Sequence, residues 1–261
     1  MAQWVKELAR VSAAAAATAA VTQMGAWTAS RRVGRVNVVD VAWGPGLAGI
    51  AAVSALLGDG DRLRRRLLVS AVTPWGTRLA LHVFRSSAGR GEDPRYERML
   101  TGTSPAETFR KVFVTQGAAQ WLISLPIQVA AVRPAARGRF ARATLAAGTA
   151  LMIGGGLIEA VADRQKAAWK SDPHHGPVMD QGLWAWSRHP NYFGDATFWW
   201  GTYLVAASGG KGWWTVLSPA VMTWFLTVGT GAKPAERLRK GDADYADYQR
   251  RVSFFVPRPP R

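Results

Sequence analysis

Apolar and polar positions along this chain fall into long blocks rather than a short alternation. Seven stretches, roughly 9–30, 36–58, 66–84, 109–132, 143–162, 192–208 and 213–232, are mostly apolar. Each approaches the ~20 residues that a helix needs to cross the hydrocarbon of a bilayer. The sixth is the weakest, because Gly194, Asp195 and Gly201 interrupt it. The segments between are short and rich in Lys and Arg. This pattern predicts an all-α integral membrane protein with about seven transmembrane helices in one bundle. With no fixed-period repeat and no flexible linker, it predicts a single membrane domain over residues 1–261. Lys6 and Arg10 ahead of the Ala-rich Val11–Val21 stretch look like a signal peptide. The apolar run continues through Met24, Trp27 and Ala29, so a first transmembrane helix is the reading adopted.

Charge sharpens this picture. The formal net charge of +16 invites a nucleic-acid reading. The bases form no single stripe, however, and 13 Trp suit helix ends at a membrane interface better than a nucleic-acid arm. The expected surroundings are a lipid bilayer and a lipophilic small molecule, with no nucleic acid and no obligate protein partner. Odd-numbered loops and the C-terminus carry 21 of the 33 Lys and Arg, against 11 for the N-terminus and even-numbered loops. By the positive-inside rule the N-terminus is outside and the C-terminus cytoplasmic. The protein is expected to be multi-pass, in the cell membrane if the source is bacterial. The absence of Cys excludes disulfides, a thiolate nucleophile and Cys-ligated metal; no metal site is expected.

Ionisable residues at membrane depth are costly and become functional candidates. Asp40 sits in the apolar run Val38–Gly44, and Arg78 and His82 are four apart on one helix face. An Asp40–Arg78 pair would either fix helix register or form a polar pocket for a carbonyl or a cofactor. Residues 85–98, with Gly, Pro and dense charge, read as a loop in which Glu92, Asp93, Arg95 and Tyr96 either face solvent, or order the loop or touch a cofactor. Glu159 and Asp163 share a face just before Arg164, Gln165 and Lys166. Acids suit ribose hydroxyls, and bases suit phosphate.

The segment Gly182–Asp195 is the richest. Pro190 biases His189 away from helix, so a helix should begin near Asn191, with Arg188 and His189 at its anion-attracting end. Asn191 and Asp195 lie one turn apart, while Trp184 and Tyr192 can stack on a planar ring. In the tail, Tyr245, Tyr248 and Arg251 recur at helical spacing after Lys240. The tail reads either as a surface helix on anionic lipid or as a contact for nucleotide phosphates. Gly154–Gly155–Gly156 lies within an apolar helix and reads as close helix packing, not as a dinucleotide fingerprint.

Gly182-Leu-Trp-x-x-Ser-Arg-His-Pro-Asn-Tyr-Phe-Gly-Asp195 resembles the DUF1295 group of the steroid 5α-reductase superfamily. Supporting pieces are Asp40-Val-Ala-Trp-Gly44, Gly91-Glu-Asp-Pro-Arg-Tyr96, Gln116 to Pro126, Asp163-x-Gln165, and Tyr245-x-x-Tyr248 ahead of Phe-Val-Pro257. The resemblance covers about 36–260, and Asp195 stands where the family usually has Glu. It implies NADPH bound from the cytoplasmic side and reduction of an enone C=C bond in a steroid-like or other lipophilic substrate. It further implies cofactor contacts at Asn191, Asp195, Asp163, Tyr245 and Arg251; Glu159, Lys166, Trp184, Arg188, His189, Tyr192 and Lys240 complete the candidate shell. Asp40 and His82, with Arg78, stand as the catalytic candidates. The rival reading is an S-adenosylmethionine-dependent membrane methyltransferase of the isoprenylcysteine or phospholipid type. Such proteins share Arg-His-Pro-x-Tyr-x-Gly and commonly carry two adjacent acids before the tail, where this chain has only Glu236. A non-enzymatic protein retaining the nucleotide shell is the third.

Overall fold

Helix α1, Gln3–Val33, opens the computed structural model, which describes residues 3–135 and 137–260. Helix α2, Trp43–Leu57, comes after a 3-10 segment over Val36–Ala42 that carries Asp40. Helix α3 spans Arg62–Ser87, with Asp61 accepting from the Arg64 amide at its start. Next come α4, Pro94–Leu100, and α5, Pro105–Thr108. A π-helical turn over Phe109–Val114 leads into α6, Thr115–Ile123, and α7, Leu125–Val132. Helix α8, Arg139–Ser171, is the longest of these elements. A 3-10 turn at Gly182–Ala185 precedes α9, Pro190–Ala207. Then come α10, Leu217–Trp224, a second π turn at Phe225–Gly229, α11, Ala232–Arg237, and α12, Ala243–Arg251.

The structure is 78% helix, with no strand among the described residues. Helix occupies each of the seven apolar stretches. Three segments, Val36–Leu57, Arg139–Ser171 and Trp213–Arg237, are long and apolar enough to cross a membrane. One expected loop is partly helical. Asp93 accepts from the Arg95 amide and Pro94 occupies the first helical position, so the Asp-Pro pair starts α4 inside the charged segment.

The chain divides into two compact units. The first comprises residues 1–145 with 205–215, the second 146–204 with 216–261. In the first, α2 crosses α3 backbone to backbone: a Cβ on Gly44 would run into the Gly76 carbonyl oxygen. Gln120, fully buried, donates to the carbonyls of Ala42 and Trp43, where the 3-10 segment gives way to α-helix, and accepts from Gln23. Those carbonyls lie where the hydrogen-bond register changes, and a side-chain amide is the partner a buried carbonyl requires.

In the second unit α8 and α9 meet at two glycine pairs. A Cβ on Gly155 would lie 2.5 Å from the Gly194 oxygen, and one on Gly201 would lie 2.6 Å from the Gly148 oxygen. The expected close packing is thus met at Gly155. A Cβ at Gly154 would meet nothing within 4 Å. Each π turn directly precedes a segment carrying polar contacts, the first at Gln116 and the second at Glu236.

Candidate functional site

In the second unit, the Gly155–Gly194 contact brings the acid face of α8 against the start of α9. Glu159, Asp163 and Asp195 are all buried. Asn191 donates through Nδ2 to Asp163 Oδ1 at 3.2 Å. Its Oδ1 is also buried and has no hydrogen-bond partner among the described residues. A buried amide oxygen without a donor is costly and marks where a ligand N–H or O–H would be welcome.

Lys166 lies over the Trp184 ring, 4.1 Å from its centre. The indole of Trp184 donates to the Ala162 carbonyl at 3.0 Å and is itself buried. Gln165 accepts from the Leu183 amide, and Gly182 adopts φ +58 with no room for a side chain against Gln165. The 182–186 turn is thereby fixed on α8, which accounts for the Asp163-x-Gln165 spacing.

Glu236, which the sequence offered only as an isolated acid, is a hub. Its carboxylate accepts from Arg188 Nε at 2.7 Å, from Gln249 Nε2 at 3.0 Å and from the Tyr245 hydroxyl at 3.4 Å, and it lies 3.1 Å from His189 Nε2. Arg188 also donates to the carbonyls of Gln249 and Val252. Its donors are therefore directed into the tail. His189 stacks on Tyr192 with ring centres 5.7 Å apart. Burial depresses the His189 pKa, and Glu236 opposes that only in part, so the ring is neutral at pH 7. Burial and the Glu236 charge raise Tyr245 to about 12, which keeps it a donor.

Tyr248 is buried and donates to the Trp184 carbonyl at 2.6 Å, which holds α12 against the 182–189 segment. Arg251 is exposed and bonded to Asp247 and Asp180. Lys240 is exposed in the turn between α11 and α12.

The first unit carries a separate polar cluster. The Tyr96 hydroxyl donates to Asp40 Oδ1 at 2.7 Å, and Arg95 lies 3.6 Å from the other carboxylate oxygen. Gln116 donates to Tyr96 at 3.5 Å and accepts from the Trp43 indole at 2.6 Å. Glu92 accepts from the backbone amides of Val36 and Asn37, tying the 3-10 segment to the 91–96 run. Three separated motifs, at 40–44, 91–96 and from Gln116, are thus one network. Burial and the neighbouring Asp40 push the Tyr96 phenol upward, so it remains protonated. Arg78 and His82 are half-buried on α3, one and a half turns beyond the Gly76 crossing in the case of His82.

An all-helical fold, apolar helices of membrane-crossing length and two motif-built polar clusters define the class. A family model described as "Protein of unknown function (DUF1295)" matches residues 26–252, and the chain belongs to that family. No curated protein and no solved structure matches it.

Proposed function

We propose that this chain is a multi-pass membrane oxidoreductase with seven spans and a cytoplasmic C-terminus. It would bind NADPH in the second unit and reduce an enone C=C bond of a steroid-like or other lipophilic substrate. The observation that carries the reading is Asn191, bonded to the buried Asp163 and with a buried Oδ1 that has no hydrogen-bond partner among the described residues, on helices that also bury Glu159 and Asp195. Such a set suits ribose hydroxyls and a carboxamide, all of which donate hydrogen bonds. Phosphate would fall to Lys166, Lys240 and Arg239, whose buried Nε has no hydrogen-bond partner among the described residues. Arg188 has its donors elsewhere and serves to hold the tail.

When bound, NADPH supplies the hydride. Within the first unit, Tyr96, kept protonated, and Asp40 beside it form an acid–phenol pair able to polarise a carbonyl. His82 and Arg78 are further candidates on α3.

One observation favours the methyltransferase reading. S-adenosylmethionine has no phosphate, and Arg188 is directed to Glu236 and backbone carbonyls rather than outward. Titration of NADPH and of S-adenosylmethionine into the detergent-purified protein separates the two. Saturable NADPH binding supports the reductase. Binding of S-adenosylmethionine alone overturns it.

A further inference from the structure

The first unit contains a cleft of about 440 Å³, which its polar cluster borders only through Glu92 and Tyr96. It lies at the end of α1, between Trp27, Arg31 and Val36 on one side and Glu97, Leu100 and Thr108 on the other. Its volume falls in the range of small-ligand sites. Trp27 makes edge contacts with Phe109 and Phe113, so one wall is a packed aromatic cluster.

Four charged residues line the cleft, and two of them are already engaged. Arg35 donates to the carbonyls of Ser87 and Arg90, and Glu92 accepts the Val36 and Asn37 amides. Glu97 and Arg31, whose guanidinium lies 5.5 Å from the centre of the Trp27 ring, remain, both exposed. The charges that a ligand would meet there are therefore one cation and one anion.

A second groove, of about 460 Å³, lies on α1 itself, lined by Val21, Met24, Gly25, Thr28, Ala29 and Arg32. The two adjoin by helix phase. Met24, Thr28 and Arg31 are successive neighbours three or four residues apart, so the groove borders the cleft along α1. The apolar groove lies toward the middle of the helix and the charged cleft at its end. An acyl chain leading to a polar head has that same order.

We propose that the cleft and groove together bind one zwitterionic phospholipid, with its phosphate at Arg31 and Arg32, its ammonium at Glu97 and an acyl chain along Val21–Thr28. Glu97 favours a head that carries an ammonium beside its phosphate, a partner that a purely anionic head lacks. None of its residues belongs to the candidate nucleotide shell of the second unit, and with the first-unit polar cluster it shares only the bordering Glu92 and Tyr96.

The test is thermal melting of the full chain in a neutral detergent. Dioleoyl phosphatidylethanolamine, dioleoyl phosphatidylglycerol and chain-free glycerophosphoethanolamine are added in turn. Phosphatidylethanolamine near a hundredfold excess over its Kd should raise the melting temperature by roughly 5–10 °C. Phosphatidylglycerol should raise it less, and the chain-free head least. Glu97→Gln should melt as the wild type does without lipid, yet lose the preference for phosphatidylethanolamine. Arg31→Ala/Arg32→Ala should weaken the response to both lipids. Equal or greater stabilisation by phosphatidylglycerol overturns the proposal, as does a preference that survives in Glu97→Gln. A chain-free head as effective as the lipid overturns the groove assignment.

Discussion

Arg188 donates to Glu236 at 2.7 Å across 48 residues of sequence, and the two side chains are only 11% and 13% exposed. The pair joins the Arg-His-Pro run to α11, and through Gln249 and the Val252 carbonyl to α12. Removing one partner of a buried pair costs more than the pair itself contributes, because the other charge is stranded. Glu236→Ala should destabilise the protein by up to about 3–5 kcal/mol, and Glu236→Gln by less, since the amide can still accept from Arg188. Melting curves of both variants check this. Equal melting of Glu236→Ala and wild type would show that the pair carries no stability.

Asn191→Leu should keep the fold and weaken NADPH binding by on the order of 1–3 kcal/mol, from lost hydrogen bonds and an unpaired ligand group. Titration beside the wild type measures it, and unchanged affinity would remove Asn191 from the site.

The glycine run on α8 offers an internal control. Gly155→Ala would drive a methyl against the Gly194 oxygen and the Phe198 amide, each 2.5 Å away, and should destabilise strongly. Gly154→Ala meets nothing within 4 Å and should stabilise by up to about 1 kcal/mol, the helix-propensity gain. Similar effects of the two substitutions would contradict the described phase of α8.

Tyr96→Phe deletes the donor to Asp40 and should cost about 1–3 kcal/mol of stability. If the enone reading holds, it should also lower kcat more than it raises KM for a reducible substrate. A change confined to KM would argue that Tyr96 only shapes the site.

His189 gives a pH dependence. Its folded pKa is below the usual ~6.5, so the unfolded chain binds the proton more readily. Above about pH 6.5 the ring is neutral in both states and costs nothing. As pH falls below that value, its contribution to stability declines. Melting at pH 7 and pH 5 should show a drop that is smaller in His189→Gln. An identical drop in the variant would place the effect elsewhere.

The long helices were legible because a bilayer demands long apolar blocks, and Pro190 marks a helix start through local chemistry; α4 was not, because the Gly, Pro and dense charge of 85–98 read as a loop. Asp163, Gln165, Asn191 and Asp195 could be nominated because each lies within a turn or two of another polar group. Glu236 could not be nominated in this way. Arg188 and His189, which make it a hub, lie 48 and 47 residues away, and nothing local distinguishes it from other acids in a basic tail. The Tyr96–Asp40 contact is similarly remote, spanning 56 residues. The π turns also left no compositional trace, since a widened turn is set by the packing of neighbouring elements rather than by its own residues. Among the three consecutive glycines of α8, only the phase of the helix against α9 decides which one touches backbone.

The two glycine contacts between α8 and α9 are spaced alike on both helices, Gly148 to Gly155 and Gly194 to Gly201. Seven residues span two turns, or ~10.5 Å, so the two helices are in step. Substitutions between the glycines keep that step, provided that the buried Met152, Asp195, Ala196, Phe198 and Trp199 are replaced only by groups of like size and polarity. A single-residue insertion or deletion there would rotate everything beyond it by ~100° and put a side chain where a carbonyl now sits. The interval should therefore be far less tolerant of changes in length than of changes in identity. A deletion scan across 149–154 and 195–200, set beside a substitution scan of the same residues, would display that asymmetry directly.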